Sequence, residues 1–482
     1  MSVANLLVPA VRWSIEHGFD HERERIDRAL ELGVGGFIFF GGEQDAVRAL
    51  IKELRQRSSV PLLLGADLER GAGQQFTGAT GLPPLAAIAS LGDADAVRRA
   101  ARLTAREART LGVNWDFAPV LDVDLDPENP IVGTRSFGSD AHRVGSLGAT
   151  WIRACQGEGV LACAKHFPGH GRTRADSHET LPVVEASKRD LLDVDLLPFR
   201  AAIDAGVASI MTAHVAYPAL DGSGEPATTS REMLQWLLRQ YMKFEGLIVS
   251  DALIMAGALA GRTEGEAAVA ALAAGCDVLL YPDDVEAVAR TLERAVADRV
   301  LTESLVQQSL RRRLKWAQWA SPPNEYRRPS AADVAWGAQL ADRVVRMVRG
   351  ARPALGAPIE VVVVDDDLGG PYPPPSREPF FEALREQGRE PRLVSAPSGT
   401  PGRSVVVALF GDVRAWKGRA GYSAESRAAV EQACAAAPNA LVMQFSHPRL
   451  IRELPGARAI ASAWGGEPAM QQAAARWIAR GP

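Results

Sequence analysis

Eight short apolar runs, each followed by an amphipathic stretch, constrain this chain more than any other feature. The runs fall at residues 6–11, 36–40, 61–66, 113–119, 160–167, 209–215, 246–250 and 277–281. Helical periodicity lies between them, at 22–32, 44–56, 94–111, 189–205 and 264–274. A short continuous apolar run suits a strand buried on both faces, and strands alternating with helices build parallel βαβ units. Eight units predict an α/β fold whose N-terminal part is a (β/α)8 TIM-type barrel, which takes about 250 residues or more. A doubly wound open sheet is the competitor, and eight successive units favour closure.

The polar residues fall where such a barrel would use them. Asp67 ends the third run, Lys165 and His166 end the fifth, His214 ends the sixth, and Asp251 follows the seventh. Barrels place their active sites at the C-terminal ends of their strands. The fifth end is the densest, reading CAKHFPGHGRTRADSHETLP over 163–182. Its strand spills a Lys-His pair into a glycine-rich loop, and Asp176 then stands two residues before His178. An Asp so placed can orient an imidazole, select its tautomer and stabilise its charged form. One loop histidine is ordinarily a satisfied polar side chain. Here four of the eight histidines lie between 166 and 214, which argues for a site.

Glycosyl transfer to water needs an ionised nucleophile on one face of a sugar and a proton donor at the leaving oxygen. Asp251, just past an apolar strand, is the nucleophile candidate; a helix N-cap is the equally weighted alternative. His178 is the acid/base candidate, since imidazole exchanges protons near neutral pH, and Asp176 would hold it. Lys165, His166 and Arg135 can donate hydrogen bonds to a ligand, and Asp67 can accept from two hydroxyls. His166, His170 and His178 with Asp176 would suffice for zinc, but the loop has no helical HExxH spacing and its prolines and glycines oppose one. No metal and no cofactor is expected. No GxxxxGK[ST] phosphate loop is present, and Gly33-Val34-Gly35 is too little for a dinucleotide fingerprint.

The 482 residues allow two or three domains, and 47% hydrophobic with 23% charged residues is ordinary for a globular protein. A net charge of −4 without a dense basic tract argues against nucleic acid and anionic membrane as partners. The four cysteines are scattered without CxxC spacing and read as buried free thiols. No apolar stretch is long enough to span a membrane, and Arg12 and Glu16 interrupt any leader, so a cytoplasmic protein is expected. The barrel is expected over 1–320 and a turn-rich linker over 321–330. A helix over 331–348 then leads into an α/β sandwich over 331–482, with strands at 359–364, 404–410, 440–445 and 457–463. The loop 415–419 is expected to be solvated or to form an interdomain contact.

Taken together, the motifs resemble glycoside hydrolase family 3, in its β-N-acetylglucosaminidase branch. They are NWDFAPVLDV (114–123), VGTRSFG (132–138), AKHFPGHG (164–171), DSHxxxP (176–182), MTAHVAYP (211–218) and SDALIM (250–255). The resemblance implies a retaining double displacement on a barrel, with Asp251 as nucleophile and Asp176–His178 as the acid/base pair. It implies sugar contacts from Asp67, Arg135, Lys165, His166 and His214. The chain departs after the third strand, where the family pattern DQEGGxVxR is replaced by residues 67–75, placing Gln75 at the position of a sugar-binding Arg, with Arg70 nearby. The expected activity is removal of terminal β-linked N-acetylglucosamine. Phosphorolysis on the same residues is an alternative, because a neutral imidazole does not repel phosphate as a carboxylate would. A non-catalytic sugar-binding barrel is the other.

Overall fold

The structure, a computed structural model, describes residues 2–320, 329–367, 374–400, 402–414 and 416–480. The chain divides into two compact units: residues 1–80, 97–126 and 136–330 form the first, and 81–96, 127–135 and 331–482 the second. Two segments within the sequence span expected for the barrel, 81–96 and 127–135, thus belong to the second unit. Of the expected linker, 321–328 lies outside the described residues.

The first unit is a barrel of eight parallel staves. They are β1 (Leu7–Val8 with Ala10–Arg12), β2 (Gly36–Phe40), β3 (Leu63–Ala66), β4 (Trp115–Asp116), β5 (Leu161–Phe167), β6 (Ser209–Thr212), β7 (Leu247–Val249) and β8 (Leu279–Leu280). β1 is split by Pro9, which has no N–H to donate. Its first piece pairs with β8 and its second with β2, so the break falls where the chain closes the barrel. From β2 to β7 each stave pairs in parallel with the next, and Val249 bridges Val278 to complete the circle. The interior is filled by Val8, Leu63, Trp115, Phe117, Leu161, Met211, Leu247 and Val278. Burial on both faces explains why these strands read as continuous apolar runs.

One stave is irregular. The pairing of β5 with β6 passes from Ala164↔Ile210 to Phe167↔Thr212, skipping Lys165 and His166. Such irregularities re-aim side chains, and this one falls on the two polar residues of the strand. The helix expected over 189–205 is interrupted: a π-turn, Leu191–Asp195, precedes a helix Leu197–Asp204 with Pro198 in its first turn.

The second unit is a six-stranded sheet in the order β9-β14-β13-β12-β10-β11. Here β9 is Arg346–Arg349, β10 Ile359–Asp365, β11 Pro391–Leu393, β12 Ser404–Phe410, β13 Leu441–Phe445 and β14 Ala459–Ser462. The helix expected over 331–348 ends at Val344, and the residues beyond it pair antiparallel with β14 at the sheet edge. β11 was not expected either, since its three residues are largely exposed and carry no apolar run. Apolar clusters cover both sheet faces, one built on Val361, Val406 and Phe410, the other on Val362, Val407 and Leu409. In the 415–419 loop Ala415 lies outside the described residues. Lys417 is not solvated, being buried with its ammonium 3.3 Å from Asp366 Oδ2.

Candidate active site

Each stave from β3 to β7 delivers a polar group just at or beyond its C-terminal end. Asp67 follows β3, and its Oδ1 is 2.6 Å from the ammonium of Lys165 on β5. Glu69 Oε1 lies 2.9 Å from the same ammonium, so two carboxylates share one buried cation. Lys165 is 2% exposed and Asp67 26%, so Lys165 fixes a carboxylate that still faces outward. Asp116, at the end of β4, has its carboxyl pushed up by burial, although nearby Lys165 opposes the shift.

Asp122 organises the fifth strand end. Its Oδ2 accepts from His166 Nδ1 at 2.7 Å, and its Oδ1 accepts the backbone N–H groups of His166 (3.2 Å) and His170 (2.6 Å). A carboxylate only accepts, so the proton on His166 resides on Nδ1. Burial raises the Asp122 carboxyl, but the His166 imidazole and its hydrogen bond outweigh that and leave it below the ordinary range. His170 spans the loop, with Nδ1 2.7 Å from Thr173 Oγ1 and Nε2 3.1 Å from Ser177 Oγ. Burial holds its pKa down at about 4, with Asp122 pulling the other way.

Further along this loop the Asp-Ser-His element forms the expected pair. Oδ1 of Asp176 accepts from both the backbone N–H of His178 (2.9 Å) and its ring Nδ1 (2.6 Å). Asp176 is fully buried while His178 remains 20% exposed, so the carboxylate orients an imidazole that reaches solvent.

Asp251, beyond β7, is not a helix N-cap. The next helix, Ala256–Leu259, is capped by Met255, and Asp251 Oδ1 instead accepts the N–H of Ala252 at 2.7 Å. Burial would raise its carboxyl. The imidazoles of His166, His214 and His178 and the Ala252 N–H outweigh burial and hold it at about 2. His214 donates through Nε2 to Ala252 O at 3.1 Å, leaving Nδ1 to accept from the Thr228 hydroxyl at 2.7 Å. Burial lowers its pKa, against the pull of Asp251. Both nitrogens of His214 therefore serve the protein, and it acts on the peptide that carries Asp251.

Arg135 falls in the second unit, at the end of a short 3-10 turn, Gly133–Arg135, where its Nη1 donates to Ile131 O at 3.1 Å. Gln75 turns inward, its Oε1 accepting the Gly41 N–H at 3.0 Å, and Arg70 is buried. The sequence reading passed over Asp122, Glu69, Ser177 and Thr228. Asp122 had the signal that marked Asp67, a carboxylate directly after an apolar run. Among the described residues no group of three or more His, Cys, Asp or Glu side chains is arranged to hold a metal.

Carboxylates and imidazoles gathered at the C-terminal strand ends of a parallel barrel define a TIM-barrel enzyme. The chain belongs to glycosyl hydrolase family 3, whose N terminal domain model matches residues 3–315. It is 37% identical over 290 residues to a beta-N-acetylglucosaminidase/beta-glucosidase of Cellulomonas fimi, a match covering 58% of this chain and 51% of that protein. The chain thus matches about half the length of that relative. A beta-hexosaminidase of Thiobacillus denitrificans is 37% identical over 289 residues, 58% of this chain and 79% of the relative. Among solved structures, a family 3 beta-N-acetylglucosaminidase from Paenibacillus sp. str. FPU-7 superposes with a TM-score of 0.85 at 28% identity, covering 99% of this chain and 96% of that one. No described helix is long and apolar enough to cross a membrane.

Proposed function

We propose that the protein removes terminal β-linked N-acetylhexosamine, N-acetylglucosamine in particular, by a retaining double displacement. The reading is supported most by one observation: a partly exposed carboxylate, Asp251, is held well below the usual carboxylate range by three imidazoles, two of which, His166 and His178, are oriented by carboxylates of their own. The similarity to proteins named beta-hexosaminidase and beta-N-acetylglucosaminidase supports the choice of sugar.

In this mechanism Asp251 attacks the anomeric carbon while His178 gives its proton to the leaving oxygen, and a covalent glycosyl-enzyme forms. Asp176 holds the proton on Nδ1, so proton exchange falls to Nε2. In the second step the now neutral imidazole takes a proton from water, which displaces Asp251 and releases the sugar with retained configuration. Asp67 and His166 are assigned to the sugar's hydroxyl and amide groups, with Lys165 fixing Asp67 from behind. His214 is assigned to positioning the nucleophile's peptide. Arg135 enters the recognition set through its motif alone.

The test is turnover of an aryl β-N-acetylglucosaminide, with a 2-deoxy-2-fluoro sugar to trap the intermediate for peptide mass mapping. Label on Asp251 is the expected result. Label on another carboxylate, or no turnover of any β-N-acetylhexosaminide, overturns the reading.

A further inference from the structure

The loop after β5 has no regular structure, yet His170, Thr173, Asp176 and Ser177 are all buried. Two anchors on opposite sides hold it. The first comes from the nucleophile's own segment: Gly257 donates its N–H to Ser177 O at 3.0 Å, and Ala256 donates to His178 O at 3.4 Å. Gly257 has no left-handed backbone that would demand glycine, and it lies within the helix Ala256–Leu259. By helix propensity alone alanine would be favoured there. The absence of a side chain answers a different need. A Cβ at this position would stand 2.8 Å from His214 O, 3.0 Å from Ser177 O and 3.1 Å from His214 Cβ. Two of those atoms are backbone oxygens of neighbouring strand-end segments, which cannot swing aside as a side-chain tip can.

The second anchor is an ion pair at the start of the loop. Asp195 closes the π-turn Leu191–Asp195 and is 2% exposed. Arg172 directs Nε at both of its oxygens, at 3.1 and 2.9 Å. Gly169 allows this approach, since a Cβ there would lie 3.2 Å from Asp195 Cβ, and the Tyr217 hydroxyl donates to Gly169 O at 2.7 Å. Between the anchors the His170 ring ties Thr173 to Ser177. The backbone that carries His178 is thereby held from the Asp251 side and from the side of the following helix.

We propose that Gly257 and the Arg172–Asp195 pair are positioning residues that set where His178 stands relative to Asp251, and so determine how well the leaving group is protonated. None of them is assigned contact with the substrate; they act through the loop. The inference rests on His178 being the acid/base.

The experiment compares kcat and KM for Gly257→Ala, Arg172→Gln and Arg172→Lys on two N-acetylglucosaminides, a disaccharide and a dinitrophenyl glycoside. Small displacements of a catalytic group are costly, so kcat/KM on the disaccharide should fall about tenfold or more in the first two variants. Attack on the dinitrophenyl glycoside should change by less than about twofold, because that leaving group departs without a proton. Azide should restore turnover in both, and Arg172→Lys should recover most of the loss. Should Gly257→Ala fail to fold, Arg172→Gln, altering a side chain 27% exposed, carries the test. Equal losses on both substrates, or unchanged kinetics, overturn the proposal. His178→Ala separates the two possible failures. If it lacks the leaving-group pattern, the assignment of His178 has failed. If it shows the pattern and the other two variants do not, the positioning inference alone has failed.

Discussion

Both units end parallel strands in carboxylates, but they treat those carboxylates differently. In the second unit the triplet that ends β10 and follows it, residues 365–367, is locked by Arg and Lys side chains. Arg377 makes two 3.0 Å hydrogen bonds to Asp365 and one of 2.7 Å to Asp367, while Asp366 meets Arg419 at 2.9 Å and Lys417 at 3.3 Å. In the barrel the partners of Asp122, Asp176 and Asp251 are imidazoles. A guanidinium keeps its proton at any working pH, so the Arg377 and Arg419 pairs cannot pass a proton on. An imidazole can surrender and regain its proton, so the barrel pairs can also do chemistry. A strand-end carboxylate is therefore a weak sign of a site until its partner is known.

That contrast can be broken most severely at Asp251. Asp251→Asn should lower turnover by several orders of magnitude, because an amide neither attacks the anomeric carbon nor balances developing positive charge. His178→Ala should follow, losing about 10²–10⁴-fold on a disaccharide and far less on a dinitrophenyl glycoside. Azide should rescue it to the β-glycosyl azide, and Asp176→Asn should show a milder form. Product analysis of the wild type with added phosphate belongs to the same assay: free sugar supports hydrolysis, and sugar 1-phosphate would move the reading to phosphorolysis.

Asp366→Asn probes the other side of the comparison. It leaves the Lys417 ammonium buried without its carboxylate, which should cost about 3 kcal/mol in a denaturant titration. Turnover per folded molecule should fall less than in Asp122→Asn, where the imidazole assigned to the sugar loses its orienting group.

The smallest effect concerns acid stability, where the units should behave alike. Burial holds His170 at about 4 in the barrel and His447 at about 3 in the second unit, both from an ordinary 6.5. The unfolded chain takes up these protons near pH 6.5 and the folded chain resists. Stability from each is complete above pH 6.5 and is lost as pH falls toward 4 for His170 and 3 for His447, on the order of 3 kcal/mol for His170 and 5 for His447. Melting temperatures across pH 3–8 should drop less steeply in His170→Gln and His447→Gln than in the wild type. Parallel curves would show that these imidazoles are not held below their ordinary pKa.

Much of this molecule was legible in the chain because burial on both faces leaves an unmistakable pattern. Eight apolar runs became eight staves, and Asp67, Lys165, His166, His214 and Asp251 sit at strand ends because that is where an apolar run meets a polar loop. The Asp176–His178 contact was equally local, since two residues of separation suffice to bring carboxylate and ring together. Tertiary structure alone decided the rest. Asp122 and Glu69 find His166 and Lys165 across staves far apart in sequence, and no local periodicity encodes such a meeting. The split of β1 at Pro9 and the edge strand β9 depend on which neighbour offers a hydrogen-bonding edge. Glycine at 257 reads in sequence as a weak point in a helix. Only the folded chain, bringing the Ser177 and His214 carbonyls to within reach of a Cβ, shows that it is a point of close approach.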